Sequence, residues 1–232
     1  MAKKITLIMI LILALSWTGC DENDSDEGLS PTSVEGLNLL GLVNNRSLYY
    51  FQLDTTTLVP SFEVEIDSLF RTINIAGSGT GWVVSDDDQP LINLLITNHY
   101  ILQNGYWQDA GAVDSLYYFP IPSVLMMRSF ENSVPWKDYT PPLATDSGNI
   151  HYPFYYSYFG FYFEKTFVGT EQLVLTPGEF TAYRFDTDLY LNRTDTVPVA
   201  TATEYYTPNI GLIKLVFTGQ GLKRYLYLVS YH

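Results

Sequence analysis

The chain has 232 residues and carries 25 Asp and Glu against 12 Lys and Arg, which gives a formal net charge of −13. An acidic surface of this kind repels phosphate backbones, so nucleic acid binding is not expected. The 19 Tyr and 13 Phe favour β-structure, because aromatic side chains pack well on a pleated surface. Cys20 is the one cysteine, which excludes an intramolecular disulfide.

Residues 1–19 have the organisation of a secretory signal peptide. Lys3 and Lys4 form a short cationic region, and an apolar run extends from Ile5 to Leu15. This run is shorter than the roughly 20 apolar residues that a membrane-spanning helix needs. We therefore predict that residues 1–19 are removed, which leaves enough chain for one large all-β domain or two small ones.

The residues after the apolar run, Ser16-Trp17-Thr18-Gly19-Cys20, resemble the lipobox of bacterial lipoproteins. Trp17 departs from that pattern, because the family prefers an aliphatic residue three positions before the cysteine. The resemblance implies that Cys20 is acylated and becomes the mature N-terminus; the alternative is an incidental cysteine at the end of a leader. Buried acyl CH2 groups contribute about 0.8 kcal/mol each. We expect a protein anchored by lipid to the bacterial cell envelope, at the outer membrane, facing the periplasm or exposed at the surface.

The segment 20–36 is predicted to be a disordered tether that starts at the lipidated Cys20. Its acidic run from Asp21 to Gly28 offers no apolar side chain to bury, so a solvated spacer is the favoured interpretation. In some bacterial lipoproteins, acidic residues directly after the acylated cysteine act as a sorting signal, and Asp21 and Glu22 occupy those positions. A single antiparallel β domain is expected over residues 37–232.

Alternation with a period of two predicts strands in the N-terminal half. In the segment 47–53, Leu48 and Tyr50 share one face. In the segment 62–67, three apolar residues alternate with three carboxylates, so one face is expected to be buried and the other solvated. These carboxylates diverge along a flat strand, which disfavours a calcium site. The run 91–97 fits either a strand or a short helix.

The strand signal weakens between Tyr100 and Ile150, where residues 106–108 and 115–119 are predicted to be extended. Prolines exclude a central strand where they stand, because they cannot donate a ladder hydrogen bond; they are Pro120, Pro122, Pro135, Pro141 and Pro142. The region from Ser129 to Asn149 is predicted to be a long loop, and long loops in compact domains often carry function or close a cavity.

The run from Tyr152 to Phe163 is the most aromatic part of the chain and holds no charge before Glu164. As a strand it would present aromatic side chains on both faces. It is either a core strand covered on both sides or the wall of an apolar cleft, with tyrosine hydroxyls as polar tips. In the second interpretation, the candidate ligand-lining residues are Phe154, Tyr156, Tyr158, Phe159 and Tyr162.

The region 172–232 has the pattern of a meander of antiparallel strands. Turns are predicted at Pro177-Gly178, at residues 208–211 and at residues 218–221, where glycine accommodates positive φ. The segment 212–218 places Ile213, Leu215 and Phe217 on one face.

The sequence contains none of the common catalytic or metal-binding motifs. The three histidines share no metal-ligand spacing, and no CxxC or GxSxG motif is present. We therefore predict no catalytic residue, no metal ligand and no cofactor.

The motif Pro177-Gly178-Glu179-Phe180-Thr181-Ala182-Tyr183, followed by Tyr205-Tyr206 and by the turn from Pro208 to Lys214, resembles a group of uncharacterised bacterial lipoproteins. That group is similar in outline to the curved, half-open antiparallel sheets of the LolA and LolB lipoprotein carriers, which is a likeness of fold and not of activity.

These patterns predict an all-β fold, with at most one or two short helices, in which meander hairpins build one strongly curved antiparallel sheet or a half-open barrel. We expect a lipid-anchored, non-enzymatic protein. In the first hypothesis, the sheet and the loop 129–149 cradle an apolar or lipid ligand. In the alternative, the domain is an interaction or structural module that binds another envelope protein or a polysaccharide through its aromatic surface or an edge strand.

Overall fold

The computed structural model describes residues 33–35, 38–57, 64–86, 89–109, 114–131, 133–141, 158–219 and 221–232, all within the unit Pro31–His232. These residues form β-strands and connecting turns, and no helix among them is long and apolar enough to cross a membrane. The strands are β1 (Ser33–Glu35), β2 (Arg46–Thr57), β3 (Val64–Ser78), β4 (Gly81–Asp86), β5 (Gln89–Ile96), β6 (Tyr100–Asp109), β7 (Asp114–Met127), β8 (Ser129–Glu131), β9 (Pro135–Tyr139), β10 (Tyr162–Leu175), β11 (Gly178–Tyr190), β12 (Ala200–Thr207), β13 (Gly211–Gly219) and β14 (Leu222–Tyr231).

Twelve strands form one antiparallel sheet in the order β7-β6-β5-β4-β3-β2-β14-β13-β12-β11-β10-β9. The sheet consists of two meanders, β2–β7 and β9–β14, which join where β2 pairs with β14. It is nearly closed into a barrel, with one seam between β7 and β9 that no backbone ladder seals. This arrangement confirms the predicted all-β, curved antiparallel sheet. A separate ladder pairs β1 with β8, so Ser33–Glu35, at the end of the predicted tether, is a strand.

Side-chain contacts bridge the seam at its middle. The Ser123 and Thr140 hydroxyl oxygens lie 3.2 Å apart, and the backbone N–H of Val124 donates to a carboxylate oxygen of Asp138 at 2.5 Å. Both seam strands are edge strands of the sheet. Each seam strand also contains proline, which cannot donate a ladder hydrogen bond, so the edges resist further strand addition.

The prolines of these two strands stand at Pro120, Pro122 and Pro135. The prediction that they exclude a central strand is confirmed, since β7 and β9 are both edges. The prediction of a long loop over residues 129–149 is wrong over its first part, because β8 and β9 lie there. Residues 142–150 are outside the described part.

Several sequence predictions about faces are confirmed. Leu48 and Tyr50 are fully buried, and the inner face of β13 holds Ile213, Leu215 and Phe217. Residues 91–96 of the segment 91–97 belong to strand β5, so the segment is a strand and not a helix. The predicted turns at Pro177-Gly178 and at residues 208–211 also form, and Asn209 adopts a φ of 64° in the second of them. The third predicted turn contains Gln220, which lies outside the described residues.

The burial expected in the segment 62–67 is wrong. Val64 and Ile66 are 58% and 71% exposed. Here β3 pairs with β2 alone, because β4 pairs with β3 only from Ile73 onward. Alternation identified the strand, but Val64 and Ile66 remain exposed to solvent.

The strand expected over residues 152–163 is also corrected. Residues 151–157 lie outside the described part, and residues 158–161 form an irregular segment with a turn at Phe159-Gly160. Strand β10 starts at Tyr162, so among the described residues of the aromatic run only Tyr162 and Phe163 belong to the sheet.

Candidate functional site

A pocket of about 630 Å³ lies at the outer face of β9 and β10, beside the seam. Three tyrosines line it, one from each of three neighbouring strands: Tyr139 on β9, Tyr162 on β10 and Tyr190 on β11. Tyr162 stands directly opposite Tyr139 on one side and Tyr190 on the other. The remaining lining residues are Lys137, Asp138, Phe163, Glu164, Asn192, Arg193, Asp195 and Thr196. We call this site the tyrosine pocket.

The ladder register explains why the tyrosines meet. Residues opposite each other in neighbouring antiparallel strands project from the same face of the sheet, with Cβ atoms about 5 Å apart. The Tyr139 and Tyr162 rings stack with centroids 4.4 Å apart and planes 29° apart. Burial raises the pKa of both Tyr139 and Tyr190 above the usual phenol value, so their hydroxyls stay protonated and can donate hydrogen bonds at neutral pH.

The next row of the outer face is charged. Glu164 stands opposite Lys137 on β9 and opposite Asp188 on β11. The Lys137 Nζ atom lies 2.6 Å from a Glu164 carboxylate oxygen, and this hydrogen bond raises the pKa of Lys137. Burial, followed by repulsion from Glu164 and Asp186, raises the pKa of Asp188. The pocket is therefore apolar along its tyrosine row and charged along its rim.

Hydrogen bonds within the protein occupy most rim acceptors. Asp195 accepts from the backbone N–H of Asn192 at 2.9 Å and from its side-chain amide. Asp138 accepts from the backbone N–H of Tyr139 at 2.7 Å and from that of Val124 across the seam. The guanidinium of Arg193, by contrast, is exposed and makes no hydrogen bond or ion pair with any residue that the structure describes.

A second cluster of the same residue types lies inside the sheet. The Lys165 Nζ atom on β10 lies 2.6 Å from a carboxylate oxygen of Glu204 on β12, and both side chains are 2% exposed. The Tyr206 hydroxyl donates to Glu204 at 3.0 Å, and the Tyr158 hydroxyl donates to the other carboxylate oxygen. Lys165 also stands over both tyrosine rings, 5.5 Å and 5.9 Å from their centroids. We call these four residues the inner cluster.

Burial sets the protonation of the inner cluster. It lowers the pKa of Lys165 to about 7 and raises the pKa of Glu204 to about 8, the hydrogen bond from Tyr206 opposing the second change. Transfer of the proton from the ammonium to the carboxylate leaves the net charge of the pair at zero. The pair is therefore electrically neutral as a unit wherever the shared proton lies.

Aromatic side chains fill the space around the inner cluster. The Phe185 ring contacts Trp136, Phe167 and Tyr206, with centroid distances between 5.4 and 5.9 Å. Phe185 and Tyr206 are almost fully buried. The described interior beside Lys165 and Glu204 is thus packed, and these groups have no access to solvent.

Another polar network lies on the inner face of the N-terminal meander. Arg224 holds Asp54 through two hydrogen bonds of 2.8 and 2.7 Å, Gln52 donates to Asp54 at 2.9 Å, and Arg71 donates to Gln52 at 3.2 Å. Arg71 also pairs with Asp86. Because each carboxylate is matched by an arginine, this network is a structural one that joins β14, β2, β3 and β4.

The candidate ligand-lining residues are distributed over different environments. Phe154 and Tyr156 lie outside the described residues, as does Cys20. Tyr158 belongs to the inner cluster, and Phe159 is buried with its ring 5.9 Å from that of Tyr106. Tyr162 is the one candidate among the described residues that lines the tyrosine pocket.

The sequence analysis did not identify most of the residues that form the tyrosine pocket and the inner cluster. Lys165 was detectable, because period-two alternation places it between Phe163 and Phe167 on an apolar face, and Glu204 likewise lies between Ala202 and Tyr206. The partnership of Tyr162 with Tyr139 and Tyr190 carried no such signal, since it depends on strand register. Among the described residues, no group of His, Cys, Asp and Glu could hold a metal ion.

No family model and no curated protein match this sequence. Among solved structures, it is similar to a protein from Bacteroides fragilis NCTC 9343 described as exported and of YmcC-like fold, with 12% identity over 85% of this chain and 100% of that one and a TM-score of 0.37. A protein from Parabacteroides distasonis ATCC 8503 described as a lipoprotein has 12% identity over 85% and 100% of the chains and a TM-score of 0.39. A beta-barrel-like protein of the domain of unknown function DUF1849 from Brucella abortus has 8% identity over 84% and 98% and a TM-score of 0.46. Because every TM-score is below 0.5, these likenesses carry no argument about function.

Proposed function

We propose that this protein is a lipid-anchored protein of the bacterial cell envelope that binds a saccharide in the tyrosine pocket and acts without catalysis. The observation that carries the proposal is the row of three tyrosines, in register on β9, β10 and β11, within a pocket of about 630 Å³ that has a polar rim. Anchoring rests on the lipobox-like sequence that ends at Cys20.

A saccharide fits the chemistry of this pocket. A pyranose ring has an apolar C–H face and a rim of hydroxyl groups. Tyrosine provides a rigid apolar ring and a polar hydroxyl on one side chain, and binding sites commonly combine an aromatic surface with a few polar groups. The tyrosine pocket offers both, with Asn192, Thr196 and the charged side chains at its rim.

The interior gives less support to the hypothesis of an apolar or lipid ligand cradled by the sheet. Phe161, Phe185, Tyr206 and Phe217 occupy the described interior with almost no exposed surface. An apolar groove of about 480 Å³ does lie beside Phe51 and Phe70, but nothing in the structure shows what covers it. The outer tyrosine pocket is therefore the better supported ligand site.

Binding measurements on the processed full chain in detergent test the proposal. We expect a panel of oligosaccharides to contain ligands whose affinity falls tenfold or more in Tyr162→Ala, since loss of an aromatic anchor costs about 2 kcal/mol at a binding site. Tyr225→Ala is the matched control, because Tyr225 stacks on Tyr227 with centroids 6.1 Å apart on β14, outside the pocket.

Isothermal titration calorimetry provides the affinities, and circular dichroism verifies that both variants fold. Equal loss of binding in the two variants would contradict the assignment of the site. Native mass spectrometry on the same preparation detects a retained lipid or a bound protein, and either result without saccharide binding would favour the other two hypotheses.

A further inference from the structure

We infer that the tyrosine pocket selects a saccharide bearing a carboxylate, of the uronic acid class, and that Arg193 contacts that carboxylate. The inference rests on the proposed function and specifies its ligand. It follows from comparing the hydrogen-bond donors and acceptors that the pocket leaves available.

The carboxylate acceptors at the rim are engaged within the protein. Asp195 accepts from Asn192, Asp138 accepts from two backbone N–H groups, and Glu164 is paired with Lys137 at 2.6 Å. A neutral saccharide needs acceptors as well as donors, since each of its hydroxyl groups donates one hydrogen bond. The engaged acceptors of this rim give such a ligand few strong partners.

The donors at the rim are available. Arg193 has five N–H groups, and none is used by a described residue. Lys137 is 71% exposed and has two N–H groups beyond the one directed to Glu164. A planar guanidinium binds a carboxylate through two parallel hydrogen bonds, which are about twice as strong as hydrogen bonds between neutral groups.

The net charge of −13 does not prevent this selection. Exposed charges are largely screened beyond a Debye length of about 8 Å at physiological ionic strength, so the groups that touch the ligand decide the preference. Asp188, the carboxyl next to Glu164, is not among the residues that line the pocket. The lining holds two cations, Lys137 and Arg193. It also holds three carboxylates, Asp138, Glu164 and Asp195, and each of them is engaged by a hydrogen bond or an ion pair within the protein.

A matched pair of ligands tests the inference on the processed full chain. The probes are an oligogalacturonate and its fully methyl-esterified form, which have the same length and ring stereochemistry but differ in charge. We expect the acid to bind at least tenfold more tightly than the ester. Arg193→Gln should lower the affinity for the acid tenfold or more and abolish that preference, whereas Arg193→Lys should retain part of it.

Lys223→Gln is the control, because it removes one exposed cation from β14, outside the pocket. Equal affinity for acid and ester, or a preference that survives Arg193→Gln, would overturn the inference. If both ligands still bind and Tyr162→Ala weakens both, the proposed function stands without it. Failure of every saccharide to bind would overturn both.

Discussion

Two lysine–glutamate pairs lie on opposite faces of β10 and involve consecutive residues. Glu164 pairs with Lys137 on the outer face, and Lys165 pairs with Glu204 inside; the N–O distance is 2.6 Å in both. The outer side chains are 71% and 25% exposed, whereas both inner ones are 2% exposed. Tyrosines accompany each pair. The local chemistry is therefore nearly the same, and the environment alone differs.

The difference shows that solvent exposure determines how an ion pair affects the pKa of its lysine and the stability of the fold. Outside, the hydrogen bond that Lys137 donates to Glu164 raises the pKa of Lys137, as expected when water still solvates both charges. Inside, burial dominates and lowers the pKa of Lys165. An exposed pair adds little stability, while a buried pair has lost its hydration and depends on its partner. The exposed Lys137 is thus available to a ligand, and the inner pair is committed to the fold.

The largest expected effect comes from removing one inner partner. Lys165→Met leaves Glu204 buried without its cation and, above pH 8 where this carboxyl group is ionised, should lower the free energy of unfolding by about 3–5 kcal/mol. The double variant Lys165→Met/Glu204→Gln removes both charges and keeps an acceptor for the two tyrosines, so we expect it to be more stable than the single variant. Urea unfolding provides the values, and an additive double variant would contradict the pairing.

The single variants should also respond to pH in opposite directions. In Lys165→Met, Glu204 has a folded pKa of about 8 against 4.5 unfolded, so the folded state holds the extra proton and stability falls as pH rises from 4.5 to 8. In Glu204→Gln, Lys165 has a folded pKa of about 7 against 10.5 unfolded, so the unfolded state holds the extra proton and stability rises between pH 7 and 10.5. Each slope approaches about 1.4 kcal/mol per pH unit. Unfolding across this range measures both, and slopes of the same sign would refute the burial argument.

A smaller loss of stability is expected when single tyrosine hydroxyl groups are removed. Tyr206→Phe removes the 3.0 Å hydrogen bond to Glu204 and should cost about 1.5–3 kcal/mol, because the acceptor is a buried carboxyl group. Tyr139→Phe alters a tyrosine of the outer row and should leave stability unchanged while weakening saccharide binding. Comparing thermal unfolding with binding separates the two roles. Comparable destabilisation by both variants would remove the distinction between the faces.

The smallest effect is expected at the outer pair. Lys137→Met should give no measurable change in the free energy of unfolding at physiological salt, because Lys137 is already solvated and its attraction to Glu164 is screened. Chemical unfolding at low and high salt is the measurement. A loss comparable to that of Lys165→Met would show that the outer pair is also structural.

The sequence predicted most of the strands and several of the turns. Period-two alternation located β2, β3 and β13, and prolines in β7 and β9 marked the two edges of the sheet. The predicted burial of Val64 and Ile66 was wrong. Alternation shows that one side of a strand is apolar, but it does not show that another element covers that side. Residues 158–161 were also misassigned to a strand, because aromatic composition alone does not fix backbone conformation.

The candidate sites were harder to predict for the same reason. Tyr162 was a candidate, but its neighbours Tyr139 and Tyr190 are 23 and 28 residues away in the chain and meet it only through strand register. Lys165 and Glu204 likewise join across β10, β11 and β12. Register and burial are set by pairing across the whole sheet, which no local window contains.

By itself, the sequence determined the strand segments, the turn positions and the lipobox-like leader, because each depends on neighbouring residues. The tertiary structure decided where the sheet ends, which face of β10 is buried and which three tyrosines share a pocket. Those outcomes depend on long-range packing: a side chain gains or loses hydration according to what distant strands place over it, and this sets the pKa, stability and availability of otherwise similar groups.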